Sequence, residues 1–430
     1  MKHSISLPVL AHLSNNEETN SEVSTSYPVS KEENMDNGVD EPASNIARVH
    51  SQGFIAAEPK SSAKNTVRPH TAYKKVLVTG GAGFIGSHVA EYLLNRGDDI
   101  VIVDEMNDYY DSRIKENNLN ILRKVSRGSK HYLKIYKGDI CDTDFITSVY
   151  ELERPTFVCH MAARAGVRPS ILDPFIYIHS NIRGTTQLME LSAKYNVQNF
   201  VFASSSSVYG GSKSTFFSED EVVDNPVSPY AASKKACELL AYTYHHLYNL
   251  NVSALRFFTV YGPRGRPDMA PFKFIDRVSR GLEIQQFGDG SSSRDYTYIS
   301  DIVDGIVRSI DRPYPYEVFN LGKGSGTSLK DFINLVQHHT GKKAQIKVMP
   351  DQAGDVPYTC ADVSKAYYFL GYKSKVPFDT GIMLTAQWYA KAYEEKNLDV
   401  CPEIQANGLG RAPSFADISK TTTIDSPQCA

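Results

Sequence analysis

The chain has 430 residues, with 46 Lys and Arg against 49 Asp and Glu, giving a net charge of −3. No block of one sign stands out, which argues against nucleic acid or an anionic membrane surface as partner, and no apolar run is long enough to span a bilayer. Six cysteines (Cys141, Cys159, Cys237, Cys360, Cys401 and Cys429) lie far apart with no CxxC or Cys/His cluster, so they read as reduced core thiols; no metal is expected, and a cytoplasmic location is the default.

Residues 1–72 are rich in Ser, Asn, Glu and Lys, and residues 398–430 are similar. Such segments bury too little apolar surface to offset the entropy of ordering them, so both read as disordered tails. Between them, KVLVT at 75–79 is a short β-branched strand. A periodic apolar segment from Phe84 to Arg96 ends at Gly97 and reads as a helix, and IVIV at 100–103 is a second strand. The alternation continues with strands at 133–136, 157–160, 199–202 and 252–256 and helical patterns near 143–153, 175–195 and 229–249. This order implies parallel strands joined by right-handed crossovers with helices on both faces, an α/β fold with a doubly wound Rossmann sheet. Beyond about residue 260 the rhythm breaks, with helix-like pieces near 271–281, 300–311, 328–340 and 378–395. The sheet domain is therefore expected over 73–258, with 300–320 returning to it. Residues 259–397 are expected to build mainly a smaller substrate-binding lobe.

Directly after the first strand stands GGAGFIG, with glycines at Gly80, Gly83 and Gly86. Gly80 permits a tight turn, Gly83 lets backbone approach a pyrophosphate, and Gly86 lets the helix pack close to the strand. Phe84 and Ile85 belong to the same cofactor loop. Asp104 ends the next strand, where a carboxylate accepts from both ribose hydroxyls and repels a 2′-phosphate, so NAD is favoured over NADP.

A second constellation is YAASK, Tyr230 to Lys234, two residues four apart and so on one helix face. A phenol is a poor base at neutral pH, but positive charge beside it favours the phenolate and makes it a usable acid–base group. The run ASSSSVYGG at 203–211 follows the apolar strand NFVF. Open α/β sheets place ligands at the carboxyl ends of their strands, so these serines read as site hydroxyls rather than as a linker.

With VTGGAGFIGSHV, MNDYYDSRIK, SSSSVYGG, RFFTVYGPRGRPDMAPF, RDYTYISDIVDGI and GDVPYTCADVSKA in place, the chain resembles NAD-dependent nucleotide-sugar epimerases of the extended short-chain dehydrogenase/reductase family. Within that family it is most similar to UDP-glucuronate 4-epimerases, from about Lys74 to Lys396. The resemblance implies Ser205 as catalytic hydroxyl, Tyr230 as base and Lys234 as its partner on the nicotinamide ribose. It places Asp139 and Ile140 beside the adenine, Arg294 on the UDP diphosphate, Arg266 in substrate recognition and Asp355 at the uridine ribose. It further implies oxidation at C4 with transient hydride transfer to tightly bound NAD, return to the other face of the sugar, and a homodimer formed through 175–195 and 229–249.

Nucleotide-sugar dehydratases typically carry Thr-Asp-Glu before Val-Tyr-Gly, and UDP-glucuronate decarboxylases a Glu just before the valine. Here Ser205, Ser206 and Ser207 stand there with no carboxylate. A 4-keto glucuronate is a β-keto acid, and an epimerase must restrain its carboxylate; Ser206, Ser207 and Thr259 are suited to do so by hydrogen bonding. Three residues depart from the pattern. Arg164 stands for a usual Gln and Pro169 for a Tyr, both on a loop near the nicotinamide, and Arg264 stands for a Trp near the substrate. A neutral UDP-hexose epimerase, a UDP-glucuronate decarboxylase and a non-catalytic NAD-binding regulator remain the alternative readings at this stage.

Overall fold

The computed structural model describes residues 66–129, 131–351 and 356–394. Residues 1–65 and 398–430 of the expected tails, together with Asp355, lie outside these residues.

The first half contains β1 (Lys75–Thr79), α1 (Phe84–Arg96), β2 (Asp99–Asp104), α2 (Ser112–Ser129), β3 (Leu133–Lys137), α3 (Thr143–Glu153) and β4 (Phe157–His160). After β4 come α4 (Val167–Leu172), α5 (Phe175–Tyr177), a π-helical segment (Ile178–Arg183), α6 (Gly184–Lys194), β5 (Asn199–Ser205), α7 (Pro229–Tyr248) and β6 (Val252–Phe257). The remainder is β7 (Thr259–Tyr261), α8 (Ala270–Ser279), β8 (Glu283–Phe287), β9 (Ser293–Tyr298), α9 (Ile299–Ile310), β10 (Tyr316–Leu321), β11 (Gly326–Ser328), α10 (Leu329–Thr340), β12 (Gln345–Met349), α11 (Ser364–Leu370) and α12 (Phe378–Glu394).

Seven strands form one sheet in the order β10–β6–β5–β4–β1–β2–β3, every pair parallel. The doubly wound architecture expected from the alternation is present. Val76, Leu77 and Val78 of β1 are fully buried, because a parallel strand covered on both faces reads as a continuous apolar run. On one face Leu93, Leu122, Ile302 and Ile306 from α1, α2 and α9 pack on Val76 and Ile100. On the other, Ile146, Leu188, Cys237 and Ala241 from α3, α6 and α7 pack on Leu77, Val101 and Val158. Smaller sheets, β11–β9–β7 and β12–β8, lie in the later part of the chain with α8, α10 and α12.

Helix α2 has no counterpart among the sequence expectations. Its buried residues are Ile114, Lys115, Asn118, Leu119 and Leu122, and most of the other positions are polar, so a narrow apolar stripe hides in a polar segment. Residues 67–70, grouped with the tail by composition, hold on to the end of α9: Val67 N donates to the Tyr314 hydroxyl at 3.1 Å and His70 N to Asp311 O at 2.7 Å. Among the described residues, no helix is long and apolar enough to cross a membrane.

The chain order fixes where a ligand fits. From β1 the strands run outward to β2 and β3, then return to β4 on the other side, so the connections after β1 and β4 diverge and leave a crevice at their carboxyl ends.

Candidate active site

A cavity of about 410 Å³ fills this crevice and runs from the glycine loop to the serine run. Its floor is built by close backbone approach. Gly80 has a left-handed φ of 66°, and a Cβ there would lie 2.6 Å from Ala162 N of the loop after β4; a Cβ on Gly86 would lie 2.2 Å from Gly80 O. A side chain at Gly80 would push against the loop after β4, and one at Gly86 would push the first turn of α1 away from the turn at Gly80. That turn carries no acidic residue, and Gly83 supplies no side-chain cap, so its N–H groups and positive dipole end are left for an anion.

Asp104 is buried at the end of β2, accepting from Ala82 N at 3.0 Å and Met106 N at 2.9 Å. Each oxygen keeps a lone pair for a further hydroxyl donor. Asp139 and Ile140 line the same end, and Asp139 accepts from Cys141 N at 2.9 Å and contacts His179 Nε2 at 3.2 Å. The ligand atoms of Asp139, Cys141 and His179 lie within 4.8 Å of one another. Burial pushes the Cys141 thiol up to about 12, and Sγ donates to His179 O, so the thiol stays protonated. The trio is joined by hydrogen bonds: Asp139 to Cys141 N and His179, and Cys141 Sγ to His179 O.

At the other end, β5 delivers the serines. Ser205 caps the 3₁₀ turn Ser206–Tyr209: its Oγ accepts from Ser207 N and contacts Ser207 Oγ, both at 3.1 Å. Helix α7 starts beside it because Ser228 caps Ala231 N and Pro229 pre-sets the first turn. Tyr230 and Lys234 then face the cavity together. Lys234 is buried, and one of its three donors goes to Ala203 O at 2.7 Å, which leaves two for a ligand. Burial, with the Lys234 charge nearby, pushes His160 down to about 3, so the ring is neutral between Thr79 Oγ1 (2.6 Å) and Thr185 Oγ1 (2.8 Å).

Gly80, Gly83, Phe84, Ile85, Gly86, Asp104, Asp139, Ile140, Ser205, Ser206, Ser207, Tyr230, Lys234, Thr259 and Arg266 therefore all line one cavity. Arg266 is paired through Nε with Asp268 at 3.0 Å, and its guanidinium stands 5.4 Å from the Tyr109 ring centroid. Arg294 lies apart from the lining, on β9, with Nη1 donating to Ser293 O at 3.0 Å. Its neighbour Asp295 is fully buried and accepts from Thr297, Lys323 N, Gly324 N and Ala361 N, so it is not the ion-pair partner of Arg294.

The three departures fall in different places. Arg164 lines the cavity and pairs with Glu105 at 3.3 Å. Pro169 belongs to helix α4 rather than a loop and is not among the lining residues. Arg264 corrects the expectation that it lies near the substrate: its side chain points back to α1, onto Glu91 and His88.

Two further features escaped the sequence reading. Asn181 is fully buried in the π segment, its Oδ1 accepting from Arg164 N at 2.8 Å and its Nδ2 donating to Ser233 Oγ at 2.9 Å. It thus ties the loop after β4 to the turn bearing Tyr230; an Asn on the core face of a helical pattern was the available signal. Tyr109, Tyr110 and Lys115 of the quoted MNDYYDSRIK motif also line the cavity.

The sequence profile of the GDP-mannose 4,6 dehydratase family matches residues 77–385. A UDP-glucuronate 4-epimerase of Thermodesulfobacterium geofontis is 44% identical over 313 residues, covering 73% of this chain and 95% of the relative. UDP-glucuronate 4-epimerase 4 of Arabidopsis thaliana is 40% identical over 337 residues, covering 74% and 76% respectively. Among solved structures, the UDP-glucuronic acid 4-epimerase of Bacillus cereus in complex with UDP-glucuronic acid and NAD superposes with a TM-score of 0.69 at 35% identity, covering 74% of this chain and 100% of that one.

Proposed function

The chain belongs to the GDP-mannose 4,6 dehydratase family, the extended short-chain dehydrogenases/reductases, and from that premise we propose that it converts UDP-glucuronate to UDP-galacturonate by epimerisation at C4 with NAD as cofactor. The observation that carries this reading is the lining beside Ser205, where Ser206, Ser207 and Thr259 place hydroxyls and no carboxylate. The family name covers a dehydratase, but elimination needs acids at that place.

The residues present suit the dinucleotide: a glycine floor that a Cβ would fill, an uncapped helix end for the pyrophosphate and a ribose-facing Asp104. When bound, NAD supplies a two-electron acceptor for C4 that is regenerated when the sugar is reduced from its opposite face. Tyr230 takes the 4-hydroxyl proton as the carbonyl forms and returns it as the carbonyl is reduced, while Ser205 Oγ hydrogen-bonds O4. Lys234 places its ammonium beside the phenol and the nicotinamide ribose. Ser206, Ser207 and Thr259 hold the carboxylate in the plane of the new carbonyl, which withholds the geometry for loss of CO₂. Arg266 binds the substrate, and the family resemblance alone assigns Arg294 to the diphosphate and Asp355 to the uridine ribose. Exposed Phe175, Ile178, Leu239 and Tyr242 on neighbouring helices support a homodimer through that face, and the buried thiols support a cytoplasmic location.

The test is proton NMR of the anomeric region with UDP-glucuronate and NAD. UDP-galacturonate without CO₂ loss is expected. A pentose product would transfer the reading to decarboxylation, and turnover of UDP-glucose alone to a neutral-hexose epimerase. A second expectation concerns the floor: Gly86→Ala should weaken NAD retention at least about tenfold, because its Cβ must displace Gly80 O. Cofactor released on denaturing the purified protein reports this, and a normal content would remove the floor from the argument.

A further inference from the structure

The loop after β7 presents Arg266 to the cavity, and two residues earlier Arg264 turns the other way. Arg264 Nη2 meets Glu91 Oε2 at 2.6 Å and its Nε meets His88 Nε2 at 3.2 Å, both on α1, with the guanidinium-bearing side chain only 10% exposed. The hydrogen-bond directions are fixed. His88 Nδ1 lies 2.9 Å from Phe84 O, which can only accept, so Nδ1 carries the proton and Nε2 offers a lone pair to the guanidinium. Burial first, and the Arg264 charge second, push His88 down to about 3, so this acceptor persists at any working pH. Phe84 in turn lines the cavity and meets the His88 ring edge-on at 5.6 Å.

Arg264 has a φ of 63°, the left-handed region that a residue with a Cβ adopts reluctantly. Such a conformation persists when surrounding contacts over-determine it, and here those contacts are the side chain's own bonds to Glu91 and His88. Turn bonds from Gly265 N to Gly262 O and from Met269 N to Arg266 O shape the loop locally. The Arg264 side chain ties it to the helix whose first turn faces the cofactor.

We propose that Arg264 is a positioning residue whose clasp on Glu91 and His88 fixes the loop that presents Arg266 to the sugar nucleotide. The proposal rests on the functional reading above and on Arg266 as a substrate contact. Arg264→Gly is the informative variant, because glycine accepts the same φ without strain while removing the clasp. KM for UDP-glucuronate should rise about tenfold, the scale of one lost charge-assisted hydrogen bond, with kcat within about threefold. Bound NAD should be unchanged, and the thermal midpoint should fall by only a few degrees, about 2–4 °C, for the lost ion pair and the added backbone freedom. Glu91→Gln should raise KM in the same direction, and the double variant should be no worse than Arg264→Gly alone, since both remove one interaction.

A native KM in Arg264→Gly, additive effects in the double variant, or NAD loss at unchanged KM each overturns the clasp. Arg266→Ala in the same series separates the premises: a native KM there removes both the Arg266 assignment and the clasp built on it. If the unmodified chain turns over no UDP-glucuronate, the functional reading fails. The clasp is then judged by calorimetric UDP-glucuronate affinity in the same variants, where equal affinities overturn it.

Discussion

Tyr230→Phe is expected to cut epimerisation by about two to four orders of magnitude, the range for a positioned general acid–base, while the protein keeps its fold and its NAD. The expectation is sharp because the ring and backbone of Tyr230 are held by contacts that phenylalanine preserves. Tyr177 meets its ring edge-on at 6.1 Å, and its backbone N donates to Ser170 Oγ at 3.1 Å. Only the hydroxyl is lost. Ser205 and Lys234 stay in place, because Ser205 is set by the end of β5 and Lys234 by Ala203 O. Turnover measured by NMR over hours, beside the NAD content and thermal midpoint, separates chemistry from folding. Turnover within about threefold of the unmodified protein would remove Tyr230 as the group that moves the proton. A fall accompanied by NAD loss would instead mean that the hydroxyl holds the cofactor.

How much of this site the sequence made legible depends on the range of the contact. The glycine floor, the serine run and Tyr230 with Lys234 are each local: their spacing states the turn or helix face, and the alternation of strands states which ends converge. Those residues meet in one cavity. What the sequence hides is long-range and pairwise. Nothing local announces that Arg264 reaches back 173 positions to Glu91 rather than forward to a ligand. Asn181 could be flagged as polar in an apolar pattern, but its partners Arg164 and Ser233 lie 17 and 52 positions away. Helix α2 was missed because a buried stripe of few residues barely alters the composition of its segment. Arg294 shows the converse: a motif residue whose side chain, by its position on β9, stands outside the cavity lining.

The second large effect is expected under the serines, at Glu238. Its carboxylate is 1% exposed and meets Arg256 through Nε and Nη2, each at 2.9 Å, while Ser204 Oγ donates to it at 2.6 Å. Arg256 lies on β6 and its guanidinium stands 4.8 Å from the Tyr209 ring centroid. One carboxylate therefore joins β5, β6 and α7 immediately behind Ser205 and one turn beyond Lys234. Glu238→Ala strands a buried guanidinium, whose Nη1 already lacks a partner. Removing one member of such a pair costs about 3–5 kcal/mol, and the unfolding midpoint should fall on the order of 5–10 °C. Adding Arg256→Met to Glu238→Ala should recover part of that loss, because no uncompensated charge remains buried. Differential scanning fluorimetry of the two single variants and the double variant closes the cycle. If the double variant is destabilised by the sum of the singles, the pair does not act as a unit and its role is reduced to packing. Turnover at low temperature adds the functional half: Glu238→Ala should lose activity even where it remains folded, because Ser204 and the end of β5 lose the anchor that sets Ser205 against Tyr230.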